Sequence, residues 1–427
     1  MGGGEMTAVN TANLHRRIAG TFVAGAVASG LLVGAGVGSA PSAHATCGSF
    51  FGIGNSADCT STLFSVAFAI GEGAVAHADG SFGAAFVIGT NASATTSAGS
   101  ILNIATSLFG DNNAVTADGG IASWATNIGG NNNIVKTQGS GLFNTATNIL
   151  GSNNTVTTQG GYVNWARNVF GSGSSVTVNG GYGNWALNAF GDAANLDIQA
   201  GDLNTVRNIF GTSNKVTVLG GLGNYARNLF GDANIITIQG GFGNSARNLF
   251  GDTNTLTTQV GYADLANNFL GNNNIITSRG GYYNGARNIL GSGNEISVGG
   301  PGANLNLGLN AFGGGNKLTS GPGNLNIAVN SGGSGNTIGA GGPGDLNIGF
   351  NFLGKGNTVV AGPGPFAVAG SVIKDGQTIT KTTTGIAIND FRIGGLAAPA
   401  DRDSAAPSAK AVGNKKSKAA GNRKGKG

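Results

Sequence analysis

Gly240-Gly241-Phe242-Gly243-Asn244-Ser245-Ala246-Arg247-Asn248-Leu249-Phe250, followed by Gly251-Asp252-Thr253-Asn254-Thr255-Leu256-Thr257-Thr258, is one unit of a pattern that runs through most of the chain. Aligned on Asn-x-Phe/Leu-Gly, the units end at glycines from Gly110 to Gly354, spaced by twenty residues with slips of one or two. Asparagine also recurs every ten residues, at 204, 214, 224, 234, 244 and 254, so each unit consists of two similar halves. Self-similarity at a fixed period of this size implies stacked supersecondary units. The Gly/Asn/Asp clusters supply turns that need positive φ or local side-chain bonds. The stretches between them alternate apolar and polar residues with period two, as strands do. The fold class is therefore all-β: an elongated β-solenoid of about 20 residues and two short strands per coil.

Stacking turns each repeated position into a column whose members stand about 4.8 Å apart. Ala166, Ala226, Ala246 and Ala286 make a small-residue column flanked by outward arginines. Phe170, Phe190, Phe210, Phe230 and Phe250 make a second column, and Val176, Val216, Ile236, Leu256 and Ile276 a third. Asn148, Asn168, Asn188, Asn208, Asn228, Asn248, Asn268 and Asn288 read as a hydrogen-bonding ladder, because a buried amide is costly unless paired and a stack pairs every member except the ends. These asparagines are thus assigned to cohesion, not to catalysis or glycosylation. From 110 to 354 the array holds about twelve coils, roughly 58 Å of stack.

The composition agrees with an unusual but ordered chain. Of 427 residues 81 are glycine and only 10% are charged, while 40% are apolar, enough for a core. Residues 1–45 read as a secretory signal peptide: His15, Arg16 and Arg17, an uncharged stretch from Ile18 to Ala40, then Ala43-His44-Ala45 as the cleavage site. A membrane-spanning helix is the alternative, but the stretch holds six glycines and ends in the A-x-A pattern. The two cysteines, Cys47 and Cys59, follow at once and read as a disulfide tying down the new N-terminus. A lipid-anchored Cys47 is the other possibility, although Ala45 and Thr46 lack the residues lipoprotein processing favours.

The remaining organisation follows from the repeat. Residues 46–96 form a degraded version of it and read as an N-terminal cap, 97–362 as the solenoid, and 363–396 as a C-terminal cap. That cap is expected to be a hairpin from Val372 to Ile379 with an Asp375-Gly376 type I′ turn. Residues 397–427 read as a disordered basic tail, with eight basic and two acidic residues from Asp401 onward, against 13 and 15 between Thr46 and Ala400. Lys415, Lys416, Lys418, Arg423, Lys424 and Lys426 are its candidate contacts to polyanions.

Repeats such as Pro322-Gly323-Asn324-Leu325-Asn326-Ile327 and Gly344-Asp345-Leu346-Asn347-Ile348-Gly349 resemble the tandem-repeat regions of mycobacterial PPE-MPTR proteins and, more loosely, PE-PGRS proteins. The resemblance covers about residues 100 to 360. The chain departs from it in starting with a signal peptide rather than a PE or PPE helical domain and in its twenty-residue unit. The resemblance implies a secreted or cell-envelope protein and no catalytic residues.

Catalytic chemistry finds little material. Beyond residue 45 the only histidine is His77 and the only glutamates are Glu72 and Glu295, while the aspartates stand mostly in turns after glycine. A triad through His77 lacks a nucleophile elbow, and both cysteines are committed, so no zinc site is expected. Gly180-Gly181-Tyr182-Gly183 and Gly240-Gly241-Phe242-Gly243 mimic calcium-binding repeats, but Trp185 and Ser245 stand where aspartate is required. No enzyme activity, cofactor or metal is expected, nor a specific nucleic-acid site or a transmembrane segment after cleavage.

The most suggestive surface is the outward side of the first strand of each coil, where Trp165, Arg167, Trp185, Arg207, Tyr225, Arg227, Arg247 and Arg287 line up. Exposed aromatics beside arginines suit an extended polyanion, and the bland alternative is a soluble face that resists sideways association. A threonine column on the second strand, including Thr157, Thr177, Thr217, Thr237, Thr257 and Thr277, is flat enough to resemble an ice-binding face, but its companion column is irregular. The expected function is that of an exported, non-catalytic structural or adhesive protein of the cell envelope or secreted space. The alternative is a binder of polyanionic glycans, with anionic envelope polymers or host glycans as partners.

Overall fold

The computed structural model describes residues 46–394. The signal peptide assigned to 1–45 and the tail assigned to 397–427, with its six candidate polyanion contacts, lie outside the described residues. Within them the chain is all-β and winds into a β-solenoid of about 16 turns at about 20 residues per coil. Each coil contributes one strand to each of two parallel sheets. Sheet 1 contains the strands typified by Ser245–Phe250, and sheet 2 those typified by Thr255–Gln259. Register is strict: Ala226 pairs with Ala246 and Ala246 with Ala266, while Ile236 pairs with Leu256 and Leu256 with Ile276. Sheet 2 is an open ladder, since Cys59–Ser61 pairs only forward and Thr378–Lys381 only backward.

The coil is thin because small residues face large ones across it. Sheet 1 points Ala166, Ala186, Ala226, Ala246 and Ala266 inward, and sheet 2 points Val176, Leu196, Val216, Ile236 and Leu256 against them, all fully buried. Each such aliphatic contributes about 1.5–3 kcal/mol by leaving water. Where Gly308 replaces the alanine, a Cβ would press on Val298 and Ile296, so the inner gap is already full. The turn glycines have a different reason. Gly231 has φ of 119°, and a Cβ on it would collide with the carbonyl oxygen of Gly251 in the next coil.

Three asparagine ladders run along the stack. In the first, from Asn127 to Asn351, each Nδ2 donates to the Oδ1 of the preceding coil, as Asn228 does to Asn208 at 2.9 Å and Asn248 to Asn228 at 2.8 Å. The column ends as stacking requires: Asn127 Nδ2, with Ser107 below it instead of asparagine, finds no partner. In the other two, Oδ1 accepts the backbone N–H of the equivalent residue one coil on, and Nδ2 reaches turn carbonyls. Asn214 accepts from Asn234 N–H at 2.9 Å and donates to Gly231 O at 2.8 Å. Asn224 accepts from Asn244 N–H at 2.9 Å and donates to Gly241 O at 3.2 Å. The decapeptide echo is the alternation of these two turn-bracing ladders.

The ends differ from expectation. Regular coiling starts at Val66–Ile70, whose partner strand Ala84–Ile88 follows after eighteen residues, so much of the segment read as a cap is solenoid. These coils carry Ala67, Ala76, Ala85 and Ala94 inward but few ladder asparagines, which hid them in the sequence. The cap proper is Thr46–Phe50, lying antiparallel on Val66–Ile70, with the Cys47–Cys59 disulfide behind it. At the other end Val372 and Thr378 belong to different sheets, so Lys374-Asp375-Gly376 is an ordinary coil corner and not a hairpin. The terminal hairpin pairs Gly385–Ile388 with Phe391–Ile393 instead, and buried Lys381 ties it down by donating to Gly394 O at 2.7 Å.

Candidate functional site

The outer surface of the solenoid is made of three faces of different chemistry. Sheet 2 presents Thr157, Thr177, Thr237, Thr257 and Thr277 in a column that also holds Asp197 and the buried Thr217, next to an irregular column of Ser175, Asn195, Lys215 and Ile235. The turn after sheet 1 places the phenylalanines on an exposed corner. Phe170 and Phe190 stack at 5.0 Å, Phe210 and Phe230 at 4.9 Å, and Phe230 and Phe250 at 5.0 Å, the last two pairs within 1° of parallel. Rings this parallel mean that these side chains repeat the same rotamer from coil to coil, although Phe190 and Phe210 are tilted by 17°.

Sheet 1 carries the aromatic and arginine stripe, and the structure brings its centre together. Trp165 and Trp185 meet edge to face at 6.1 Å. The Arg207 guanidinium lies 4.3 Å from the Trp185 ring centroid and 6.0 Å from that of Tyr225, and Arg247 lies 4.9 Å from Tyr225. Arg227 stands between Arg207 and Arg247 in the same column. Arg167 and Arg287 are set apart from this centre by Leu187 and Asn267. The ion pairs among the described residues are Lys317–Glu295 and Lys374–Asp390, so none of these arginines is neutralised by a carboxylate. The aromatic faces screen part of their mutual repulsion, but the stripe keeps a net positive charge.

The histidine among the described residues has few polar partners. His77 Nδ1 lies 2.7 Å from Thr60 Oγ1, and Asp79 accepts from the same hydroxyl at 3.3 Å rather than orienting the imidazole. Among the described residues no group of three or more His, Cys, Asp or Glu converges as a metal site would. No described helix is long and apolar enough to cross a membrane.

One buried carboxyl escaped the sequence reading. Asp264 replaces asparagine in the ladder that contains Asn224, Asn244 and Asn284. Its N–H donates to Asn244 and its Oδ1 accepts from Asn284 N–H, both at 2.8 Å. Oδ2 occupies the place where its neighbours carry an NH₂ and has no partner. Burial raises its pKa from 3.8 to about 7, against the smaller opposite pull of the bonds from Asn284. The ten-residue asparagine count would have exposed the exception at position 264.

Comparison of the chain with protein-family models, with curated proteins and with solved structures finds no match.

Proposed function

We propose that the chain is an exported, non-catalytic structural or adhesive repeat protein that is secreted or held in a cell envelope. The observation that carries this is the fate of the repeated polar residues. The asparagines that recur most often are consumed by rung-to-rung hydrogen bonds such as Asn248 to Asn228, and what remains outside is a set of long, regular side-chain columns. Columns suit extended contacts with polymers or surfaces better than the enclosure of a small substrate. The Cys47–Cys59 disulfide fits an oxidising compartment. The resemblance to mycobacterial repeat proteins points the same way, and the basic residues from Lys415 to Lys426 supply a means of retention. Fractionation of producing cells with the full chain and with residues 401–427 deleted tests this. Envelope retention lost on deletion supports it, and full-length protein found only in culture fluid contradicts retention.

A second function, binding of polyanionic glycans, is favoured by the stacked Trp185, Arg207, Tyr225 and Arg247 cluster, whose arginines have no acidic partner among the described residues. Joint replacement of Arg207, Arg227 and Arg247 by Gln abolishes binding to dextran sulfate if the stripe is the site. Binding that disappears only with the tail assigns it to the tail.

A further inference from the structure

We infer that the outer face of sheet 1 docks flat on an anionic lipid surface, its arginines at the headgroups and its apolar columns in the interfacial layer. The inference rests on the stripe being a binding face, but on neither export nor the tail. It starts from the three outward columns of sheet 1. The first includes Ile104, Trp124, Trp165, Trp185, Tyr225 and Leu265, interspersed with Thr145, Thr205 and Ser245, and the third Ile128, Ile149, Ile209, Leu229, Leu249 and Phe269. The middle column holds the five arginines, and none of the three contains an acidic residue. Along the border of this face run Leu150, Phe170, Phe190, Phe210, Phe230, Phe250, Leu270, Leu290 and Phe312, each between 37% and 54% exposed. Nine consecutive coils of exposed aromatic or aliphatic side chains make a rail of about 40 Å at about 4.8 Å per coil. A soluble monomer rarely exposes a contiguous apolar surface of that extent without a partner for it.

The occupant follows from charge and shape. A second copy of the chain placed face to face would bury two rows of arginines against each other without counter-ions, which is strongly unfavourable. A free glycan would use Trp185, Tyr225 and the arginines, but it offers nothing apolar to the phenylalanine rail or to Ile209, Leu229 and Leu249. An anionic bilayer satisfies both: aromatic rings settle at the headgroup level, aliphatic side chains reach the acyl boundary, and guanidinium groups meet phosphate. The Phe210, Phe230 and Phe250 rings, neighbours parallel within 1°, present one continuous apolar edge to such a layer over three coils. Sheet 2, with its threonines, is the side left to water.

The three tryptophans of the chain, Trp124, Trp165 and Trp185, all stand on sheet 1, so their fluorescence reports on this face alone. The full chain is mixed with phosphatidylglycerol vesicles whose acyl chains carry bromine, and with zwitterionic vesicles as a control. Binding through sheet 1 quenches the tryptophans with the anionic vesicles and shifts their emission to the blue. Joint replacement of Phe210, Phe230 and Phe250 by Ser, all exposed and outside the core, lowers partitioning about tenfold or more. The Gln variants of Arg207, Arg227 and Arg247 together lower it roughly a hundredfold at low salt. Co-sedimentation without quenching overturns the inference, because the N-terminal apolar stretch or the tail then does the binding. A tryptophan shift with dextran sulfate but not with vesicles also overturns it, and leaves glycan binding standing. No response to either probe removes both.

Discussion

Replacing Asp264 by Asn should stabilise the protein, and more so as the pH rises. In the wild-type ladder Asp264 Oδ2 is buried without a donor, whereas Asn244 uses its Nδ2 to reach Gly240 O at 2.9 Å and Gly261 O at 3.1 Å. An ionised carboxylate in that place sets a negative oxygen against turn carbonyls, while a protonated one can donate as the amide does. The folded chain therefore holds the Asp264 proton up to about 7, against 3.8 for an ordinary aspartate. The stability Asp264 contributes in its protonated form is complete below pH 3.8 and is lost as the pH climbs through about 7. At about 1.4 kcal/mol per pH unit the loss has an upper bound of about 4 kcal/mol. The effective dielectric of a protein interior is well above that of a dry apolar medium, so about 2 kcal/mol is the working figure. D264N should thus exceed wild type by about 2 kcal/mol at pH 8 and by less than about 1 kcal/mol at pH 4. Urea denaturation at several pH values reads the global difference, and amide exchange of residues 245–284 reads local opening. A variant less stable than wild type at pH 8, or an equal gain at both pH values, would refute the reasoning.

Three further substitutions probe other parts of the stack. N228A removes the acceptor of Asn248 Nδ2 and of Asn234 Nδ2 together with the donor to Asn208, and should cost about 2–4 kcal/mol in urea denaturation. T258V replaces a fully buried hydroxyl that has no partner, beneath a column that already holds Val218 and Ile238, and should raise stability by about 1 kcal/mol in the same assay. G231A forces a Cβ into the carbonyl of Gly251 at a left-handed φ, so a loss of about 3 kcal/mol or more is expected, seen as a lower thermal midpoint.

Much of the architecture was legible because a stacked array writes each structural requirement once per coil. Ala246, Asn248 and Leu256 repeat at twenty-residue intervals, and that periodicity alone led to two strands, an inner column and a ladder. The ends were less legible. The first coils hold their shape through small inward residues such as Ala67 and Ala85, which carry no distinctive signal, and Asp375-Gly376 serves a coil corner as readily as a hairpin. The stripe from Trp165 to Arg287 was visible as two adjacent outward columns, one with the aromatics and one with the arginines, since outward residues alternate with inward ones. Its contacts were not, because whether Arg207 pairs with a carboxylate or lies over Trp185 depends on rotamers that no spacing encodes. The apolar outer column of sheet 1 was hidden by strand alternation, in which Leu229 and Leu249 look like core residues until the coil fixes which side is inside.

The central claim is that equivalent residues of successive coils stand directly above one another. Spin labels on cysteines introduced at Thr157 and Thr277, six coils apart on the outer side of sheet 2, test it through their dipolar distance. In-register stacking predicts a narrow distribution centred at about 29 Å, six steps of about 4.8 Å. A broad distribution around about 60 Å, as a flexible chain of that length would give, would contradict it.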